Sequence, residues 1–229
     1  MTITLVEGSD RLLSAFDSRL GLKAQEYLRQ LLVDIRLGSV MKGYENKMVE
    51  FADGHKEYWE TLIWTAGVKG EPIPGLPESM LGRGGRIKVD QYSKVLGARD
   101  VYAIGDIALM RTDGYPDGHP QVAQPAIQQA RNLARNMNCG EDKYPFVYDD
   151  KGTMATVGRN KAVAQIGSMT FAGRFAWWLW MLIHLISILG VRTKVTVLLN
   201  WIWNYCTYST SLRLLMRPAR FPLRRHWGD

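Results

Sequence analysis

Cysteine is nearly absent. The 229 residues hold two, Cys139 and Cys206, far apart and in no C-x-x-C pair, so no zinc site, redox dithiol or other metal centre is signalled. The start of the chain lacks a basic stretch ahead of an apolar one, and nothing there marks a cleavable secretory signal. Internal repeats, low-complexity tracts and a phosphate-binding glycine fingerprint are missing as well. Gly82-Arg83-Gly84-Gly85 is the one glycine cluster that mimics such a fingerprint. No strand pattern precedes it and no helix pattern follows, so it reads as a linker. The most informative absence is acidic: from residue 151 to 228 there is no aspartate or glutamate, against 11 lysines and arginines.

That absence localises the charge. The chain as a whole carries a formal +7, yet residues 1–150 hold 18 basic side chains against 21 acidic ones. The basicity belongs to the C-terminal segment, which also contains Trp177, Trp178, Trp180, Trp201, Trp203 and Trp227, six of the eight tryptophans. These stand among Leu, Ile, Val and Met, the composition of a membrane contact rather than of a nucleic-acid groove. Nucleic acid is therefore set aside as a partner. Overall, 46% hydrophobic and 22% charged residues are ordinary globular values, which excludes a disordered chain.

The order of patterns along the chain is that of an α/β protein. Residues 2–7 form a β-branched run ending in Glu7 and closing on Gly8-Ser9-Asp10, and read as a buried strand. Over 20–32, Leu20, Ala24, Tyr27, Leu28 and Leu31 recur at helical steps with Lys23, Glu26 and Arg29 between them. Residues 33–40, 47–51 and 58–65 read as strands, the last two joined through Asp53-Gly54, and this meander ends at Ala66-Gly67. The Pro- and Gly-rich stretch 69–85 reads as a connection between domains. Beyond it, 87–90 is a strand, and 101–104 is an apolar strand running into Gly105-Asp106. A loop then leads to a helix from Pro125 to about Asn136, and 152–167 predicts a hairpin turning at 158–161.

Two constellations carry chemistry. Gly105-Asp106 at a strand end is where open α/β sheets bind ligands: a carboxylate there accepts hydrogen bonds from ligand hydroxyls, and the glycine lets the backbone approach. The same step also serves as plain turn geometry. The second is Gln124-Pro125, with Pro125 at the first helical position, Gln124 near the N-cap and Gln128 one turn later on the same face. Such a helix start offers positive charge and two neutral amides. It suits the edge of a reduced flavin, and equally a solvated helix start.

At these residues the chain resembles the type II NADH dehydrogenases. Val101-Tyr102-Ala103-Ile104-Gly105-Asp106-Ile107-Ala108 is similar to the second FAD-binding motif of flavoproteins with two dinucleotide-binding domains. Gln121-Val122-Ala123-Gln124-Pro125-Ala126-Ile127-Gln128 resembles the A-Q-x-A-x-Q stretch of the family. Upstream, Leu62-Ile63-Trp64-Thr65-Ala66-Gly67-Val68 is similar to the motif where such a chain leaves its NADH domain. Downstream, Gly152-Thr153-Met154-Ala155-Thr156-Val157-Gly158-Arg159 and Phe175-Ala176-Trp177-Trp178-Leu179-Trp180 resemble the family's C-terminal region.

The resemblance implies a Rossmann-like fold in three parts. Residues 1–68 would be the C-terminal part of an NADH-binding domain, 69–150 the C-terminal part of an FAD-binding domain, and 151–229 a hairpin with amphipathic membrane-anchoring helices. It implies FAD as cofactor, NADH as donor and quinone as acceptor, at the cytoplasmic face of a bacterial inner membrane. Asp106 with Gly105 would bind the ribitol of FAD, and the backbone of Val122 and Ala123 would meet its isoalloxazine. Gln124 and Gln128 would border the quinone pocket. Glu7 would accept the ribose hydroxyls of NADH, with Ala66 and Gly67 near the nicotinamide. Lys161 is a further candidate at the flavin–quinone region, its alternative being a solvated hairpin lysine. A homodimer stays open. The two glycine-rich fingerprints of the family are absent, so the sequence is expected to be a fragment of a longer protein.

Residues 175–191 are apolar but for His184, Ser187 and Gly190. In 195–211 Thr196, Asn200, Asn204, Thr207 and Ser211 draw one polar stripe, with Arg192-Thr193-Lys194 between the two segments. Arg213, Arg217, Arg220, Arg224 and Arg225 follow, suited to anionic headgroups. A monotopic anchor is the expectation, a transmembrane hairpin the alternative. Two other functions stay in view. A sulfide:quinone reductase would need redox cysteines beside the flavin, and a non-catalytic membrane-binding module would leave Gly105-Asp106 and the glutamines without a purpose.

Overall fold

The computed structural model describes residues 2–140, 142–188 and 190–207. They fall into two compact units, Met1–Trp177 and Trp178–Asp229.

The first unit opens with a βαβ step. Ile3–Val6 (β1) pairs in parallel with Val33–Arg36 (β2) by way of the helix Ser18–Gln30 (α1). Asp17 caps that helix, its carboxylate accepting from the N–H of Arg19. β1 is not the buried strand expected: Ile3 is 51% exposed, because a two-stranded sheet covers few of its own faces. β2 stops at Arg36 rather than running to 40, since Gly38 turns the backbone with φ 64°.

Met41–Glu45 (β3), Met48–Phe51 (β4) and Lys56–Tyr58 (β5) then form an antiparallel meander. Its second turn is the predicted one at Asp53-Gly54, where the His55 N–H donates to Asp53 Oδ1 at 2.9 Å. Its first turn, Asn46-Lys47, has positive φ at both residues, the two-residue hairpin geometry that usually selects glycine. With no glycine to announce it, β3 was not read from the sequence. The third strand ends at Tyr58, and 59–65 leaves the sheet instead of extending it.

In the middle of the unit Ile87–Val89 (β6) runs parallel to Ala108–Met110 (β7). The expected strand over 101–104 does not form, and only Tyr102 makes a single bridge, to Lys94. Positive φ at Asp100 and Gly105 bends the chain at both ends of that run, leaving too few residues for a ladder. Ile87, Val89, Val95, Ala103, Ala108, Met110 and Phe146 make one core here.

The helix Ala123–Cys139 (α2) closes on Gly140 in the left-handed conformation. It starts two residues ahead of the expected position, which puts Pro125 third in the helix. A proline is tolerated there because the first four N–H groups have no intrahelical acceptor.

Thr153–Thr156 (β8), Ala162–Ile166 (β9) and Met169–Gly173 (β10) build an antiparallel sheet, the predicted hairpin plus one more strand. Its residues Val157 and Val163 share a core with Leu20, Ala24 and Tyr27 of α1, so the beginning of the chain and its C-terminal sheet are one packed body. The helix Arg174–Ser187 (α3) starts on this sheet, with Ala176 buried against Ala162 and Ala164.

The second unit holds the rest of α3 and the helix Val191–Thr207 (α4). They face each other through Trp178 and Tyr205, ring centroids 5.9 Å apart, and through stacked Trp180 and Trp201 at 6.3 Å. The break between them is Gly190 with φ 82°, so Arg192-Thr193-Lys194 lies within the first turn of α4 rather than separating the segments. At about 1.5 Å per residue, the 14 residues of α3 and the 17 of α4 reach about 21 and 26 Å, short of a hydrocarbon core of about 30 Å. Among the described residues no helix is long and apolar enough to cross a membrane. Ser211, the arginines at 213–225 and Trp227 lie outside the described residues.

Candidate functional site

Gly105 organises the site. Its φ of 70° is one that L side chains rarely adopt, and a Cβ there would stand 3.2 Å from Ala126 Cβ in the first turn of α2. Its N–H donates at 2.7 Å to Oε1 of Gln129, a side chain only 1% exposed. The turn Gly105–Ile107 is thereby tied to α2. Asp106, next in the chain, is exposed, and its carboxylate makes no hydrogen bond among the described residues. Its backbone oxygen accepts from Gln121 Nε2 at 3.0 Å. Val122, the N-cap of α2, offers no side-chain acceptor, so the N–H groups of Ala123 and Gln124 have no side-chain cap. A carboxylate and the positive end of a helix thus meet at one place.

Beneath this turn lies Arg86, which the sequence reading did not single out. It is 8% exposed and donates Nε and Nη2 to the Ala108 carbonyl at 3.0 and 2.6 Å, and Nη2 also to the His119 carbonyl at 3.0 Å. It joins β7 to the loop that enters α2. Gly118 makes room for it, since a Cβ there would come within 3.1 Å of Arg86 Nη1. Burial pushes the guanidinium pKa down, and Asp106 opposes that shift.

The His119 ring is 2% exposed, packed against Tyr115, Phe146 and Tyr148, and neither ring nitrogen has a hydrogen-bond partner among the described residues. Burial, then the neighbouring Arg86 charge, lower its pKa. Burial, with Asp150, Tyr115 and Asp149, raises that of Tyr148 to about 12. The unfolded chain therefore binds the His119 proton before the folded one does. Stability is complete above the unfolded value of about 6.5 and falls as pH drops through it toward the folded one. Urea unfolding at several pH values should show this decline, and His119→Phe should flatten it. An unaltered pH slope in that variant would remove His119 as its cause.

The two expected glutamines are bonded to backbone. Gln124 Nε2 donates to the Gly152 carbonyl at 3.0 Å and its Oε1 accepts from the Lys151 N–H at 3.3 Å. Gln128 makes the same reciprocal pair with Asp149, at 2.9 and 3.0 Å. Gln129 was missed, although Pro125, Gln129 and Asn136, the buried positions of α2, recur at helical spacing. None of the three is strongly apolar, so the stripe shows only once burial is known. Elsewhere in the first unit, Glu7 follows β1 and its Oε1 accepts from the N–H of Ser9 at 2.9 Å and its hydroxyl at 2.7 Å, which lowers its pKa. Ala66 and Gly67 lie exposed in irregular chain, Gly67 with φ 94°. The Lys161 ammonium donates to Gln30 Oε1 at 2.6 Å and sits 5.5 Å from the Tyr27 ring, both on α1. The structure thus brings Gly105, Asp106, Val122, Ala123, Gln124 and Gln128 together on the turn and α2, while Lys161 is held by α1.

Residues 1–130 match the family model described as pyridine nucleotide-disulphide oxidoreductase. The chain belongs to that family. Within it, residues 151–207 match the NDH2 C-terminal domain, which bears out the resemblance to type II NADH dehydrogenases. A type II NADH:quinone oxidoreductase of Mycobacterium tuberculosis is 33% identical over 215 residues, covering 87% of this chain and 44% of the relative. An internal alternative NAD(P)H-ubiquinone oxidoreductase of Solanum tuberosum mitochondria is 29% identical over the same shares. The chain therefore spans less than half the length of these curated relatives. In fold this chain is similar to NDH2 from Plasmodium falciparum, solved in complex with NADH. The TM-score is 0.78 at 16% identity, over 90% of this chain and 58% of that one.

Proposed function

We propose that this chain supplies the flavin-facing and membrane-facing part of a non-electrogenic NADH:quinone oxidoreductase. One observation carries the reading: the exposed carboxylate of Asp106, unbonded among the described residues, stands beside the uncapped start of α2, on a turn that the positive φ of Gly105 favours. That donor set fits FAD, with Asp106 accepting from ribityl hydroxyls and the backbone of Val122 and Ala123 bordering the isoalloxazine. The helix end would stabilise negative charge at the ring's pyrimidine edge. When bound, FAD would take a hydride from NADH and pass its electrons to a quinone. Glu7, kept ionised by Ser9, would accept the ribose hydroxyls of NADH, and Ala66 with Gly67 would leave room for the nicotinamide. Gln124 and Gln128 would border the quinone pocket. Lys161 is left out, because its ammonium is bonded to α1.

The helices α3 and α4 would lie on the membrane, in a bacterium at the cytoplasmic face of the inner membrane. Exposed Trp178, Leu182, Ile186, Leu199, Ile202 and Trp203 suit an apolar contact. The hydroxyls of Ser187, Thr196 and Thr207 bond to carbonyls of their own helices and so need no water. A sulfide:quinone reductase is disfavoured, since Cys139 ends the 17-residue α2 about 24 Å along the helix from Ala123.

The test is a chimera in which the chain follows the N-terminal part of the Mycobacterium tuberculosis relative. It should hold FAD and reduce a quinone with NADH. Asp106→Ala should lower flavin occupancy, and Glu7→Gln should raise KM for NADH but not for quinone. The 229-residue polypeptide alone, lacking a glycine fingerprint, should purify without flavin. A chimera that folds by circular dichroism yet binds no flavin overturns the reading.

A further inference from the structure

The amide side chains of α2 follow a rule that the resemblance does not explain. Gln124, Gln128, Asn132 and Asn136 are spaced four apart along the helix, and all four bond to the backbone of one returning segment, 144–152. Asn132 and Asn136 donate to the Tyr144 carbonyl at 3.1 and 2.9 Å, and the Tyr144 N–H donates to Asn136 Oδ1 at 2.9 Å. Gln128 and Gln124 continue the series at Asp149 and at Lys151 with Gly152.

At the last step, from Gln128 to Gln124, the spacing is commensurate. Four helical residues advance about 6 Å, and two extended residues, such as Asp149 to Lys151, advance about 6.6 Å. At positions 136, 128 and 124 the side-chain amide both donates and accepts, as a peptide group does in a sheet. The segment has no strand of its own here, so these side chains satisfy backbone groups that a ladder would otherwise serve. The clasp ends where β8 begins. There Gly152, with φ 95° and no room for a Cβ beside the Gln165 carbonyl, turns the chain into the C-terminal sheet.

We propose that Gln124 and Gln128 are positioning residues, the last two rungs of an amide clasp that sets the C-terminal sheet, and the start of α3 with it, in register with α2. The clasp stands on its own geometry. Its consequence for catalysis, a fixed register between α2 with its Asp106 turn and the C-terminal sheet, rests on the flavin reading above.

Backbone hydrogen exchange on the 229-residue chain tests the clasp without any cofactor, so its result is independent of whether FAD binds. In Gln128→Met the Asp149 amide should exchange about tenfold faster, and in Gln124→Met the Lys151 amide likewise, while Leu109 and Met110 in β7 keep their protection. Gln121→Met, outside the series, should change neither. Gln128→Glu should restore much of the Asp149 protection, because a carboxylate still accepts from that N–H though it no longer donates. Unchanged exchange at Asp149 and Lys151 in the methionine variants would overturn the clasp. So would an equal loss of protection at Leu109 and Met110, or a glutamate variant no better than methionine.

Discussion

Arg86→Met should destabilise the fold by about 3–5 kcal/mol in urea unfolding, the largest loss expected from a single side chain here. Methionine keeps most of the stem and its packing, so the change isolates the guanidinium. Three hydrogen bonds from a charged donor disappear, and the carbonyls of Ala108 and His119 lose the partner that satisfied them. Bonds of this kind are worth about 1.5–3 kcal/mol each, and an unsatisfied buried carbonyl costs about as much, though the terms do not add in full. Arg86→Lys should recover only part, since an ammonium cannot present the fork that reaches both carbonyls. In Arg86→Met the dependence of stability on pH should also flatten, because the nearest cation opposing His119 protonation is gone. A loss below about 1 kcal/mol would mean that the Ala108 and His119 carbonyls find other donors.

Gly105→Val should cost about 3–5 kcal/mol by the same measurement. A β-branched residue held at φ 70° carries about 1–3 kcal/mol of backbone strain. Its Cβ would press on Ala126 at 3.2 Å, adding about 1–3 kcal/mol of overpacking. Gly105→Asn tolerates that φ better and should lose less, leaving mainly the crowding. The ordering Val worse than Asn worse than wild type is the signature of a left-handed turn. Equal losses for Val and Asn would assign the whole effect to crowding against α2. In the flavin-binding chimera both variants should displace Asp106 and reduce flavin occupancy, with valine the more severe.

How much of this was legible in the sequence follows from the range over which each feature is decided. The α1 helix, the Asp53-Gly54 turn and the hairpin at 158–161 were readable because a helical face or a tight turn is fixed by residues a few positions apart. Gly105-Asp106 and the glutamines of α2 stood out as residues, but not in what they touch. The sequence pattern left open whether Gln124 and Gln128 face a ligand or solvent, and the structure gives their amides to 149–152, whose approach no local signal announces. Strand lengths failed for a related reason. The runs 33–40, 58–65 and 101–104 have strand composition, yet a strand exists only where a neighbour supplies its ladder, and positive φ at Gly38, Asp100 and Gly105 takes the first and third of them out of reach.

By itself, then, the sequence determined the α/β order, the confinement of the basic, tryptophan-rich character to the C-terminal segment, and the chemical types at the Asp106 turn. All of these are properties of composition and short-range period. Only the tertiary structure decided that Arg86 is buried under that turn, that Gln129 holds Gly105, that β9 packs on α1, and that the amides of α2 clasp the returning chain. Each of those joins residues distant in sequence, and a buried polar group declares its role only once the groups that satisfy it have been brought beside it.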